Sequence, residues 1–267
     1  HWGLLLARTD MDATKHDGLS YFIIDMKQPG VETQPLKQMN GYASFNQVFL
    51  TDAEVLPDFQ VAELGDGWKV ATTTLMHERR AADSLRAWGQ VPDTDGPIYD
   101  QERAEVETTM APYKWYPQRA GRVDLIMQRA KETGAIKDPA VRQEIAKLMT
   151  LHKSAEWTAR RARSAQEQGK PQGPEGSLGK LAASNVARAA AKVHTMISGA
   201  DSMLSGDDSP ENGTVAEVLI SFPASSIASG TDEIQKNIIS ERVLDMPKET
   251  RFDAGKPFKD IPRNTIS

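Results

Sequence analysis

Glu78 is the first residue whose type and setting point to chemistry. From Gly67 the apolar period changes from two to 3.6, and Trp68, Ala71, Leu75, Glu78, Ala82 and Leu85 fall on one face of a long helix. A carboxylate on such a face is costly unless it is paired or useful. The residues alone leave two uses open. Glu78 can sit in a buried ion pair with Arg79, Arg80 or a neighbouring helix, or it can act as a general base, because burial disfavours its charged form and raises its pKa towards working pH. A second stretch, Ser229-Gly230-Thr231-Asp232-Glu233-Ile234-Gln235, joins a glycine turn to a helix. Gly230 permits a backbone turn closed to other residues, Thr231 is a good N-cap, and Asp232 with Glu233 sets negative charge at the positive end of the helix. Ile234, Ile238 and Ile239 form its apolar stripe, and Pro247 stops it. His152 and His194 are single histidines on apolar helix faces without a second ligand at metal spacing, so they read as core residues and no metal site is expected. The Gly/Asp/Ser run at 205–213 lacks the P-loop pattern and reads as a loop.

The elements that position these residues follow from pattern and turn chemistry. Residues 1 to 60 read as β structure, with apolar runs at 2–7, 19–24 and 45–50 separated by the turns Gln28-Pro29-Gly30 and Met39-Asn40-Gly41. The helix from Gly67 is followed by a Pro-, Asp- and Gly-rich stretch at 89–116, expected to be an irregular connection. A second helix is expected over 119–132, ended by Gly134. A third begins with Asp138 as cap and Pro139 at its first position and runs to 168. A fourth, alanine-rich, spans 177–202. Long helices with short connections read as a bundle.

Composition bounds the function classes. With 267 residues, 39% apolar and 26% charged, the chain can bury a real core in one or two domains. A net charge of −5 without a basic face argues against nucleic acid. Zero cysteines exclude disulfides, thiolate catalysis and Cys-ligated metal. No apolar run approaches the roughly 20 residues of a membrane span. The chain opens on His1 and enters a strand-like run at once, which reads as a piece of a longer protein.

The stretch at 229–244 resembles the Gly-Thr-x-x-Ile-Gln signature near the C-terminus of the acyl-CoA dehydrogenases, flavoenzymes that place a double bond between the α and β carbons of an acyl-CoA thioester. "WGLLLARTD", "GLSYFIIDM", "PGV" and "FNQVFLTDAEVL" are similar, in family order, to the second half of that family's middle β domain. "GDGWKVATTTLMHER" and the Gly-Pro-Glu-x-Ser-x-x-Lys passage at 173–180 extend the likeness over nearly the whole chain. The resemblance implies an α+β, mainly α fold: a partial antiparallel β domain at 1–62, then a four-helix up-down bundle with a C-terminal tail at 63–267. The N-terminal helical domain and the first half of the β domain would lie upstream.

The resemblance also implies a cofactor, FAD, with Gly230, Thr231 and Glu233 at the flavin and Gln143 near a glutamine that meets the flavin adenine of a neighbouring subunit. The family's Arg-x-x-Phe-Gly is absent around 129–134. In much of the family the base precedes the Gly-Thr turn; that position here is Ser229, which cannot serve. A minority branch, including the isovaleryl-CoA type, places the glutamate before an arginine on the first bundle helix. His77-Glu78-Arg79 matches that arrangement, with Glu78 as base and Arg79 orienting substrate. The implied partners are an acyl-CoA substrate, electron-transfer flavoprotein or a similar acceptor, and further subunits in a homodimer or homotetramer or in a heteromer. The implied setting is cytoplasmic lipid breakdown. These 267 residues alone are expected to bind FAD poorly and to be inactive. Against this stands a non-catalytic subunit of a heteromeric dehydrogenase, favoured by Ser229, and a nucleic-acid-binding branch, opposed by the acidic balance.

Overall fold

A computed structural model describes residues 1–88, 94–110, 117–170 and 173–262; within them the side chains of 79–88, 110, 117 and 175 are not described. The fold is α+β and mainly α. By internal contacts the chain divides into a unit of His1–Lys37, Ala43–Lys114 and Glu249–Ser267, and a unit of Gln38–Tyr42 and Trp115–Lys248.

Among the described residues, the first unit has five short strands. Strand β1 (Trp2–Arg8) pairs antiparallel with β2 (Leu19–Asp25) from Trp2↔Asp25 to Arg8↔Leu19, and β5 (Gln60–Val61) joins the other edge of β2. Strands β3 (Val31–Leu36) and β4 (Phe45–Leu50) form a separate antiparallel pair, with Val31 opposite Leu50. Pro35 is tolerated in β3 because a two-stranded sheet has only edges. The β1–β2 connection is held locally: Asp10 Oδ1 accepts from the amides of Asp12 and Ala13, and the Thr9 and Ser20 hydroxyls share a hydrogen bond of 2.6 Å.

Helix α1 (Gly67–Trp88) starts against β2. Ser20, fully buried, accepts a hydrogen bond from the Gly65 amide at 3.0 Å. A Cβ on Gly67 would come within 2.5 Å of the Ser20 carbonyl carbon, so the approach requires glycine there. On the expected apolar face of α1, Leu75 is 54% exposed, Ala71 is half-buried and Trp68 stacks on the His16 ring at 4.2 Å; the side chains of Ala82 and Leu85 lie outside the described ones. Part of the stretch expected to be irregular is a helix, α2 (Pro97–Met110). Its proline sits at the first helical position, where the missing N–H is not needed. Arg103–Asp100 and Gln101–Glu105 pairs then support its exposed turns, and Val106 is buried. Residues 89–93 and 111–116 lie outside the described residues. The tail from Glu249 also belongs to this unit: Phe258 and Lys259 donate backbone hydrogen bonds to Ala13 and Met11, and the Arg8 guanidinium lies 3.6 Å over the Phe258 ring.

The second unit is a helical bundle of α3 (Val123–Glu132), α4 (Pro139–Glu167), α5 (Glu175–Ser198), α6 (Thr214–Ser221) and α7 (Asp232–Arg242). Asp138 caps α4 through the Ala140 amide at 2.7 Å, and Pro139 opens it, as the local sequence requires. The core comes from spacings of three and four. Ile126 and Ala130 of α3 meet Val141, Ile145 and Leu148 of α4 and Val186, Ala190, Val193 and Ile197 of α5. Alanines on α5 let its backbone come close to its neighbours. Of the isoleucine stripe expected on α7, Ile238 and Ile239 are half-buried but Ile234 is not. Ile234 is 50% exposed, whereas Asp232 and Gln235 are 4% and 5% exposed, because polar partners on α5 and in the preceding turn take that side.

Candidate functional site

The turn before α7 is shaped residue by residue. Ser229 and Gly230 both have positive φ, +58° and +90°, and Thr231 then returns to extended backbone. Only glycine takes the second of these without strain. The Thr231 hydroxyl caps the helix, accepting from the Ile234 amide at 3.3 Å. The Gln235 side chain folds back over the turn and donates to the carbonyls of Ser229 and Gly230 at 3.2 and 3.4 Å. It fills the space a side chain at residue 230 would need, since a Cβ there would lie 2.7 Å from Gln235 Nε2. The Gly-x-x-x-x-Gln spacing is therefore a packing requirement. Ser229, Gly230 and Glu233 are exposed and Thr231 is partly so.

Beneath the turn lies a polar cluster on α5. Lys180, Ser184 and Arg188 recur every four residues and so share one face. Arg188 Nη2 lies 3.0 Å from Asp232 Oδ2 and 2.9 Å from the Ser226 hydroxyl, while Lys180 Nζ lies 3.6 Å from Asp232 Oδ1. Lys180 Nζ and Ser184 Oγ also donate to the Ser225 carbonyl, at 2.5 and 2.9 Å. Burial pushes the Asp232 carboxyl up, but the Ser184 hydroxyl, Arg188, Ser226 and Lys180 outweigh it and hold Asp232 below the usual carboxylate range. These residues went unassigned in the sequence, where Asp232 reads only as charge at a helix start. The four-residue spacing of polar groups along an alanine-rich helix was the available signal.

A second buried network involves His194. It is fully buried, with Nε2 near the carbonyls of Gly121 and Arg122 at 3.1 and 3.2 Å and Nδ1 3.1 Å from Arg129 Nη1. Carbonyls can only accept and arginine can only donate, so the proton is on Nε2 and the ring is neutral. Burial lowers its pKa, consistent with that state. Arg129 reaches on to Ser198 at 2.6 Å and to Glu211 at 3.4 Å, and burial lowers its pKa too. The residue is a core histidine tying α3 to α5, as its isolation in the sequence suggests.

The remaining candidate residues lie on other elements of the chain. Glu78 is on α1, in the strand unit, with its carboxylate exposed; the Arg79 side chain lies outside the described residues. Gln143 is exposed in the first turns of α4, a helix that packs on α5 through Val141 and Ile145. Gly230, Thr231 and Glu233 are brought together in one turn. Among the described residues, no three His, Cys, Asp or Glu side chains gather as a metal site, and no helix is long and apolar enough to cross a membrane.

Comparison with known proteins adds the context. The family described as "Acyl-CoA dehydrogenase, C-terminal domain" matches residues 119–244. Acyl-CoA dehydrogenase IpdE1 of Mycobacterium tuberculosis is 29% identical over 256 residues, which are 94% of this chain and 56% of that protein. The chain thus spans about half the length of this relative. Among solved structures, the Tcur3481-Tcur3483 steroid ACAD superposes with a TM-score of 0.68 at 19% identity, covering 92% of this chain and 56% of that one. The ChsE4-ChsE5 complex from Mycobacterium tuberculosis gives 0.62 at 19% identity, covering 93% and 58%. At such identities the likeness is one of fold.

Proposed function

The chain belongs to the acyl-CoA dehydrogenase family, whose C-terminal domain occupies residues 119–244, and from that premise we propose that it is part of an FAD-dependent acyl-CoA dehydrogenase. The reaction is α,β-dehydrogenation of an acyl-CoA thioester in cytoplasmic lipid breakdown, with electrons leaving to electron-transfer flavoprotein or a similar acceptor. The observation that carries this reading is the Ser229–Thr231 turn, a backbone corner with no side chain at Gly230, at the start of α7 and locked by Gln235. Its chemistry fits a flavin nucleotide. The Ile234 amide is taken by the Thr231 cap, while the amides of Asp232 and Glu233 have no acceptor within the helix and lie at the positive end of its dipole. Glu233 is an exposed acceptor and so suits a ribityl or ribose hydroxyl rather than a phosphate. Gln143, also exposed, offers an amide to the adenine of a flavin held by a second subunit.

In this mechanism Glu78 takes the α proton and Arg79 orients the thioester. FAD, when bound, supplies the acceptor for the β hydride. Glu78 is exposed in the chain by itself, so bound substrate and surrounding subunits are what would enclose it. The second reading, a non-catalytic subunit of a heteromeric dehydrogenase, is favoured by Ser229, which puts a hydroxyl where much of the family has its base. Anaerobic addition of acyl-CoA to the full-length protein separates the two. The enzyme reading expects bound flavin that bleaches on mixing; flavin that stays oxidised with every acyl-CoA supports the scaffold.

A further inference from the structure

We propose that Lys180, Ser184 and Arg188 act with Asp232 as a clamp that positions the 227–231 turn, so that the Gly-Pro-Glu-x-Ser-x-x-Lys passage and the Gly-Thr-x-x-Ile-Gln passage are two halves of one device. The inference rests on the reading above that this turn meets the cofactor. The geometry carries it. The turn is largely exposed, Ile227 to 66%, so little burial of its own holds it in place. It is fixed at its two ends instead. Upstream, the Ser225 carbonyl accepts from Lys180 and Ser184, and Arg188 reaches the Ser226 hydroxyl. Downstream, the same two cations face the two oxygens of Asp232, the first residue of α7. Each cation therefore bridges the entry and the exit of the turn, and both are fixed on one rigid helix face.

Asp232 makes the arrangement exacting. It is 4% exposed, and its Oδ1 makes no hydrogen bond; Lys180 Nζ at 3.6 Å is what compensates it. A buried carboxylate left without its cation is strongly unfavourable. Neutralising Lys180 would leave Oδ1 uncompensated while Arg188 still holds Oδ2, and it would free the Ser225 carbonyl, so the entry of the turn and the start of α7 loosen together. The clamp has a second consequence. An unpaired aspartate at the start of α7 would repel an anionic ligand, whereas two cations around it leave the corner attractive to a diphosphate. Lys180 is a positioning residue; it acts through Asp232.

The test uses the full-length protein with Lys180→Met, Lys180→Arg and the double variant Lys180→Met/Asp232→Asn, read by amide hydrogen exchange and by flavin affinity. Lys180→Met should speed exchange at 227–234 by at least about tenfold, because breaking a buried pair costs well over that factor, while α3 and α4 stay protected. Flavin should bind at least about tenfold more weakly. Lys180→Arg should restore both, and the double variant should recover part of the exchange protection, since no uncompensated carboxylate oxygen remains buried. Unchanged exchange at 227–234 in Lys180→Met, or an equal rise over the whole helical unit, overturns the clamp. Should Lys180→Met not fold, Arg188→Met, at a half-exposed position, asks the same of the outer cation: a local rise at 227–234 supports the clamp, and no rise or a uniform one overturns it. A wild-type protein that binds no flavin would remove the proposed function, and the exchange result would still decide the clamp.

Discussion

The two units hold their shapes by different means. In the helical unit a continuous apolar core joins α3, α4 and α5, and the buried polar groups of His194, Arg129 and Asp232 sit in networks that cross between elements. In the strand unit few apolar side chains are buried, and both sheets present apolar faces: Trp2, Leu4, Phe45 and Phe49 are all exposed. A shallow cleft of about 360 Å³ lined by Trp2, Gly3, Leu4, Ile23 and Phe59 lies on the β1–β2 sheet. There, order comes from ladder hydrogen bonds, Asx turns and ion pairs close to the surface. Side-chain truncation should therefore cost stability in one unit and little in the other, while the proposed chemistry draws on both.

The largest expected contrast is thermodynamic. Leu148 is fully buried among α3, α4 and α5, so Leu148→Ala should destabilise by about 2–5 kcal/mol in denaturant or thermal unfolding. Leu4→Ala, on the open face of β1, should stay within about 0.5 kcal/mol. Equal losses would show that the strand unit buries that face in the folded protein and would erase the comparison.

Next comes a contrast of rate without stability. If Glu78 is the base, Glu78→Gln in the full-length protein should slow flavin reduction by about 10²-fold or more, with melting temperature and acyl-CoA affinity kept. Glutamine preserves shape and hydrogen bonding but cannot take the proton. An ion-pair role predicts the reverse, an early-melting protein whose folded molecules turn over normally. Normal flavin reduction in the variant would put the scaffold-subunit reading in front.

Within the helical unit, glycines sharpen the point. Gly230 at φ +90° faces Gln235, so Gly230→Ala should cost about 1–3 kcal/mol through backbone strain and displacement of that amide. Gly179, inside α5 with open space beside it, should gain up to about 1 kcal/mol on change to alanine. Thermal melts of the two variants give the signs directly.

What the sequence made legible follows the range of the forces involved. Strand 45–50, the Asp138-Pro139 start of α4 and the Thr231 cap depend on residues within a few positions of one another, and all three are found. Helix α2 was hidden because its proline and aspartates read as breakers, although at a helix start they are compatible with the first turn. The burial of Asp232 at the start of α7 could not be read from the isoleucines, because it is decided by Lys180 and Arg188, far upstream in the chain and adjacent only after folding. The same holds for Glu78. Its place on a helix was visible in the period, but its exposure depends on what packs beside α1.

The smallest expected effect tests the surface ion pairs credited with ordering the strand unit. Asp253 accepts from Arg251 Nε and Nη2, both at 3.2 Å, and its Oδ2 lies 3.1 Å from Lys15 Nζ. The hydrogen bonds from Arg251 and then Lys15 lower its pKa from 3.8 to about 2. A carboxylate whose folded pKa is depressed contributes stability that is present above its unfolded pKa and is lost as pH falls through the folded value. The tail should therefore stay docked on the β1–β2 connection down to about pH 4 and loosen between about pH 4 and pH 2. Asp232, also depressed, loses stability in the same direction, so a global melt cannot separate the two. A local readout can: protection from hydrogen exchange at 249–262, relative to the intrinsic rate at each pH, should fall with acidification, and Lys15→Met should move that fall to higher pH without altering protection in α7. If the tail holds unchanged through pH 2, the contacts of Phe258 with Arg8 and the 11–13 backbone suffice to dock it, and ion pairs are not what orders this part of the strand unit.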